Sequence, residues 1–121
     1  MSLKTSTRSL GSVIIVDCYG RIVFGEETAL LRRQVKELLN QSRQIVLNLA
    51  DIQYVDSSGL GTLVELYSSA RKAGGEIKLA RLTGRVKDVL HITKLGSIFE
   101  LYDSAEEAAS TFERHAQRTV A

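Results

Sequence analysis

The sequence predicts an α/β domain with a mostly parallel sheet and one antiparallel hairpin at its start. Apolar, β-branched runs of strand length, Val13 to Tyr19, Ile45 to Leu49 and Ile77 to Leu79, alternate with stretches whose apolar residues recur at helical spacing. Strands separated by helices are joined by crossovers, which make neighbouring strands parallel. Gly11-Ser12 reads as a turn between the first two strand-like segments, short enough for a hairpin.

Taken in order, residues 3–9 are polar and alternate weakly, as an edge strand does. Val13-Ile14-Ile15-Val16-Asp17-Cys18-Tyr19 reads as a strand inside the sheet. Gly20 and Gly25 bracket Arg21-Ile22-Val23-Phe24, read as a short connection carrying exposed apolar side chains. A helix pattern begins at Glu26, with Leu31, Val35, Leu38 and Leu39 on one face. Glu26 and Glu27 sit in its first turn, where carboxylates suit the positive end of the helix dipole. Arg32, Arg33 and Lys36 occupy its other faces and read as a solvated surface. After the strand at 45–49 comes a helix running to about Ala73, closed by Gly74-Gly75. Ile77 and Leu79, with Leu82 beyond them, mark another strand. Thr83-Gly84 starts a short helix bearing Val86, Val89 and Leu90, and Gly96 closes the turn after it. Ile98 to Tyr102 reads as a short last strand. Ser104 with Glu107 is a capping-box pattern, followed by a helix with Ala105, Ala108, Ala109 and Phe112 inward.

The 121 residues suffice for one domain, 1–121, with a structured core over 3–115 and a polar tail at 116–121 expected to fray. A net charge of +2 argues neither for a nucleic-acid footprint nor for a strongly acidic partner, and no direct nucleic-acid partner is expected. Cys18 has no second cysteine to bridge and reads as a small buried hydrophobe in a reducing compartment. With no apolar run of membrane-span length and no signal-peptide core, the expectation is a cytoplasmic chain without a membrane partner.

The most informative stretch is Tyr54 to Leu63, where a strand turns into a helix. Apolar residues Leu60, Leu63, Val64 and Tyr67 mark the helix face, and one Asp, two Ser and two Gly fill the turn before them. Several chemistries fail here. Gly59 and Gly61 suggest a dinucleotide fingerprint, but Val64 stands at the third glycine position. No Gly-Lys-Ser/Thr follows a glycine-rich loop, so there is no P-loop. A nucleophile elbow wants glycines two residues either side of its serine, and Val55 precedes Ser57 while Asp56 precedes Ser58 at that spacing. His91, His115 and Cys18 have no metal-ligand spacing. The residues leave two roles for the serine pair: capping the helix, or modification. One cap needs only one hydroxyl.

Ile45-Val46-Leu47-Asn48-Leu49, then Asp56-Ser57-Ser58-Gly59-Leu60-Gly61, then Gly74-Gly75 before a strand, closely resemble the anti-sigma factor antagonists of bacteria. These are members of the STAS domain group, named for sulfate transporters and anti-sigma factor antagonists. The resemblance runs from the hairpin near Gly11 to the last helix, and it implies a single STAS domain with a β-α superhelix. It also implies that Ser57 accepts phosphate from a partner that is both anti-sigma factor and ATP-dependent serine kinase, leaving Ser58 to the helix. A PPM-type phosphatase would remove the phosphate. The unphosphorylated domain would bind the kinase and free a sigma factor. Such a chain is a regulator, not an enzyme, and needs no cofactor or metal. The expected partner-binding set is Asp56, Ser57, Ser58, Gly59, Leu60, Thr62, Val23 and Phe24, with Thr62 and Glu65 read as exposed. One departure stands out: members similar to the sporulation antagonist often carry an Asp after the hairpin, in a Gly-x-Leu-Asp pattern, and this chain has Gly20-Arg21-Ile22-Val23. Val23 and Phe24 would offer apolar contact instead. The alternatives are a scaffold or transporter-associated STAS module without a kinase cycle, and a nucleotide-binding domain using the Gly59–Gly61 turn.

Overall fold

The computed structural model describes residues 3–93 and 99–120. Five strands form one sheet in sequence order: β1 (Leu3–Leu10), β2 (Val13–Ile22), β3 (Gln44–Val55), β4 (Glu76–Ala80) and β5 (Leu101–Tyr102). The pair β1–β2 is antiparallel and every later pair is parallel. Three helices, α1 (Glu26–Leu38), α2 (Ser57–Lys72) and α3 (Gly84–Thr93), make the crossovers, and α4 (Ala105–Val120) follows β5. Because each new strand pairs beside the previous one, α1, α2 and α3 all fall on one face, giving the expected β-α superhelix.

That face holds the main core. Val16, Cys18, Ile22, Leu47, Leu49, Ile52 and Leu79 from the strands meet Leu31 and Val35 of α1, Leu63 and Leu66 of α2, and Val86 and Leu90 of α3. The opposite face carries a smaller cluster in which Ala105, Ala108, Ala109 and Phe112 of α4 lie on Val13, Ile15, Val46 and Ala80. Their alternation along β2 and β4 is the period-two signature of strands buried on both sides.

Several boundaries differ from the sequence expectation. Strand β3 runs six residues past Leu49, to Val55. It shifts register against β2 between Asp17 and Tyr19 and again between Gly20 and Arg21. Those extra residues place Ile52 and Val55 in the core at a spacing of three, which hides the strand from a search for strict alternation. Strand β2 continues through Ile22, which is fully buried, and Val23 is half-buried, so only Phe24 of the expected connection is an exposed apolar side chain. Strand β4 ends at Ala80, before Leu82. Helix α4 continues to Val120, through the stretch expected to be a tail. Gly96 and Ile98 lie outside the described residues, and the last strand covers only Leu101–Tyr102 of the segment expected there.

Helix α2 is closed as its sequence suggests. Gly74 adopts φ 82°, its N–H donates to the Arg71 carbonyl at 3.1 Å, and the Gly75 N–H donates to the Ala70 carbonyl at 2.8 Å. This is a Schellman closure.

Candidate functional site

The site is built at the C-terminal edge of the sheet, where β3 ends and α2 begins. Asp56 is the pivot. Its extended backbone (φ −89°, ψ −176°) ends the strand, and its carbonyl already accepts the Leu60 N–H at 2.9 Å. Its side chain accepts two more backbone hydrogen bonds, from the Gly59 N–H to Oδ1 at 2.7 Å and from the Phe24 N–H to Oδ2 at 3.0 Å. The first caps α2; the second ties down the loop between β2 and α1. The capping role expected of a serine therefore belongs to Asp56, because the strand stops one residue before the Ser pair and only Asp56 has the non-helical dihedrals a cap requires.

Both serines are thereby released from capping. Ser57 is the first helical residue and exposed, and its hydroxyl makes no hydrogen bond among the described residues. Ser58 is half-buried, and its carbonyl accepts from the Thr62 hydroxyl at 2.9 Å. Free backbone N–H groups and the positive end of the helix dipole surround Ser57, an environment that favours negative charge.

Gly59 seats the helix on the sheet. A Cβ there would lie 2.0 Å from the Ile22 carbonyl oxygen, so α2 can approach β2 this closely only with glycine. The same junction places Asp56 N–H 3.3 Å from the Ile22 carbonyl.

Between the N-terminal ends of α1 and α2 lies a shallow groove of about 350 Å³, edged by Phe24, Gly25, Arg32, Ser58 and Gly61. Phe24 is 79% exposed, the most exposed large apolar side chain among the described residues. Thr62, expected at the surface, is only 2% exposed: the Arg32 guanidinium covers it and donates to its hydroxyl at 3.3 Å. Arg32 also reaches both carboxylate oxygens of Glu65 at 3.1 Å, and Lys36 reaches Glu65 at 3.0 Å. The Lys36 ammonium first, with Arg32 beside it, holds the Glu65 carboxyl below its ordinary pKa against the opposing effect of burial. Arg32 and Lys36 thus tie α1 to α2.

Of the eight expected partner-binding residues, Ser57 and Phe24 are exposed, Asp56, Ser58 and Val23 are half-buried, and Gly59, Leu60 and Thr62 are buried. Gly59 and Leu60 shape the site from beneath. Among the described residues no group of three His, Cys, Asp or Glu side chains is arranged to hold a metal ion. Cys18 is buried, which pushes its thiol up to about 12, far from a reactive thiolate. No helix of the described residues is long and apolar enough to cross a membrane.

Comparison with known proteins supplies a family for this geometry. The STAS domain model matches residues 4–108. The anti-sigma F factor antagonist of Paenibacillus polymyxa is 29% identical over 115 residues, covering 93% of this chain and 97% of the relative. The anti-sigma-B factor antagonist of Bacillus subtilis is 32% identical over 77 residues, covering 64% of this chain and 71% of the relative. Among solved structures, the Thermotoga maritima protein TM1081 superposes with a TM-score of 0.80 at 28% identity, covering 88% of this chain and 92% of that one.

Proposed function

Because the chain belongs to the STAS domain family, we propose that it is an anti-sigma factor antagonist whose binding is switched by phosphate on Ser57. The observation that carries this reading is the free, exposed Ser57 hydroxyl at a helix start that Asp56 has already capped. Modifying Ser57 therefore breaks no hydrogen bond of the fold. The named relatives, antagonists of anti-sigma factors, support the partner class.

In the reaction, Ser57 Oγ attacks the γ-phosphorus of an ATP held by a partner that is both anti-sigma factor and serine kinase. A P–O bond forms, the bond to the departing ADP oxygen breaks, and the serine proton passes to a base of the kinase. The chain contributes position and exposure, not catalytic groups. A PPM-type phosphatase, hydrolysing the phosphoserine with water, returns the hydroxyl. The cycle belongs in the cytoplasm, where ATP and sigma factors are.

The phosphate adds about −1.5 to −2 charges at pH 7. At the N-terminus of α2 that charge is favoured by about 0.3–1 kcal/mol, so phosphorylation leaves the fold intact. Its effect lies in the interface, where it sets bulk and desolvated charge against the partner's carboxylates and nucleotide phosphates. Phe24, held in place by its N–H bond to Asp56, supplies the apolar part of that contact. Val23, where related antagonists often carry an Asp, is half-buried and leaves Phe24 to meet the partner.

Incubation of the full chain with ATP and the anti-sigma-type serine kinases of its host, followed by peptide mass spectrometry, tests the reading. A single phosphate on Ser57 is expected, and none on a Ser57→Ala variant. Phosphate on Ser58 instead would move the switch to the wrong hydroxyl.

A further inference from the structure

Gly59 and Gly61 stand two residues apart in α2, and the fold accounts for only one of them. Gly59 is forced by the Ile22 carbonyl. At Gly61 a Cβ would meet nothing within 4 Å among the described residues, the backbone is ordinary helix, and the position is exposed. Glycine inside a helix is less favourable than alanine because it loses more backbone freedom on folding. Gly25, across the groove, holds φ 117°, and Gly84 has the same freedom as Gly61 but opens its helix instead of standing inside it. Gly61 is thus a destabilising choice that nothing within the domain requires.

Its position suggests what does. Gly61 follows Ser57 by four residues, so the two are neighbours on one helix face, with Cβ positions about 5–6 Å apart. Helical side chains lean toward the N-terminus and cover the preceding turn. Any side chain at 61 would lean over Ser57.

We propose that Gly61 is a specificity-determining residue for phosphorylation: its bare surface is the path by which the kinase brings the ATP γ-phosphate to Ser57 Oγ. This rests on the switch reading above. Transfer needs the serine oxygen and the phosphorus about 3–3.5 Å apart, and both kinase and nucleotide must reach that distance over the first turns of α2. An alanine methyl intrudes on that approach, and a leucine covers it. The residue acts by what it leaves open, and it touches no reacting atom.

Gly61→Ala and Gly61→Leu in the full chain test this against wild type, with the kinase that phosphorylates the wild type. Gly61→Ala is expected to raise Tm by about 3–5 °C, as removal of an unneeded helical glycine should. Its kcat/KM for phosphorylation is expected to fall at least tenfold, and Gly61→Leu, confirmed folded by circular dichroism, to take no measurable phosphate. Wild-type rates in Gly61→Leu would overturn the proposal while leaving the Ser57 switch standing. A lower Tm in Gly61→Ala would also overturn it, by making the glycine structural. A wild-type chain that takes phosphate from none of its host's anti-sigma-type serine kinases, so that no such kinase is found, would remove both readings together.

Discussion

Asp56 holds two elements with one carboxylate, and its two bonds can be separated by substitution. Asp56→Ala removes both the cap on Gly59 and the tether to Phe24. A cap is worth about 1 kcal/mol and a further hydrogen bond about the same, so urea unfolding should show a loss of about 2 kcal/mol. Asp56→Asn keeps one acceptor oxygen and should lose about half as much. Gly59→Ala should cost about 2–3 kcal/mol, since its methyl drives α2 off the Ile22 carbonyl. Asp, Ser and Ser in succession are all good caps, so composition alone does not choose among them. The choice is made by where β3 stops, and the bulges that carry it to Val55 leave no regular period in the sequence. The turn itself was legible, from Asp, Ser and Gly between two periodic runs.

At the scale of elements, two exposed carboxylates look alike in sequence and differ in what they leave behind. Glu65 joins Arg32 and Lys36, which are both well solvated, so Glu65→Ala should cost less than about 1 kcal/mol and less still at high salt. Glu100 pairs at 3.0 Å with Lys78, whose side chain is 1% exposed beneath α4. Lys78 also donates to the Thr111 hydroxyl and lies 4.2 Å from the Phe112 ring centroid. Glu100→Ala strands a buried ammonium, so it should cost about 2 kcal/mol, discounted from a fully buried pair because water reaches Glu100. Burial alone would raise the Glu100 carboxyl, but Lys78 and the Tyr102 hydroxyl outweigh it and hold the group below its ordinary value. A carboxyl held low when folded stabilises fully above its unfolded pKa of about 4.3 and loses that contribution as pH falls through the folded value. The stability gap between wild type and Glu100→Gln should therefore be open at pH 7 and narrow as pH falls below the unfolded value of about 4.3. Lys78 was not legible as buried: between Ile77 and Leu79 it reads as the solvent-facing partner in an alternating strand, and only the docking of α4 covers that face.

For the whole molecule, strand order and helix placement follow from crossovers that always step to the next strand, which the alternation of periods reveals in advance. That topology puts the β3–α2 junction at the C-terminal edge of the sheet, where Ser57 is exposed and its hydroxyl holds no bond of the fold. A switch built there should act on binding without acting on folding. Phosphorylated chain is accordingly expected to melt no lower than unmodified chain, since the charge sits at a helix N-terminus. The most direct measurement is a calorimetric titration of the proposed partner, an anti-sigma factor kinase, with the chain before and after phosphorylation of Ser57. Binding is expected to be a few hundredfold weaker after modification, a loss of about 3–4 kcal/mol, with Tm unchanged or slightly raised. Equal affinity of the two forms would contradict a phosphate switch at Ser57.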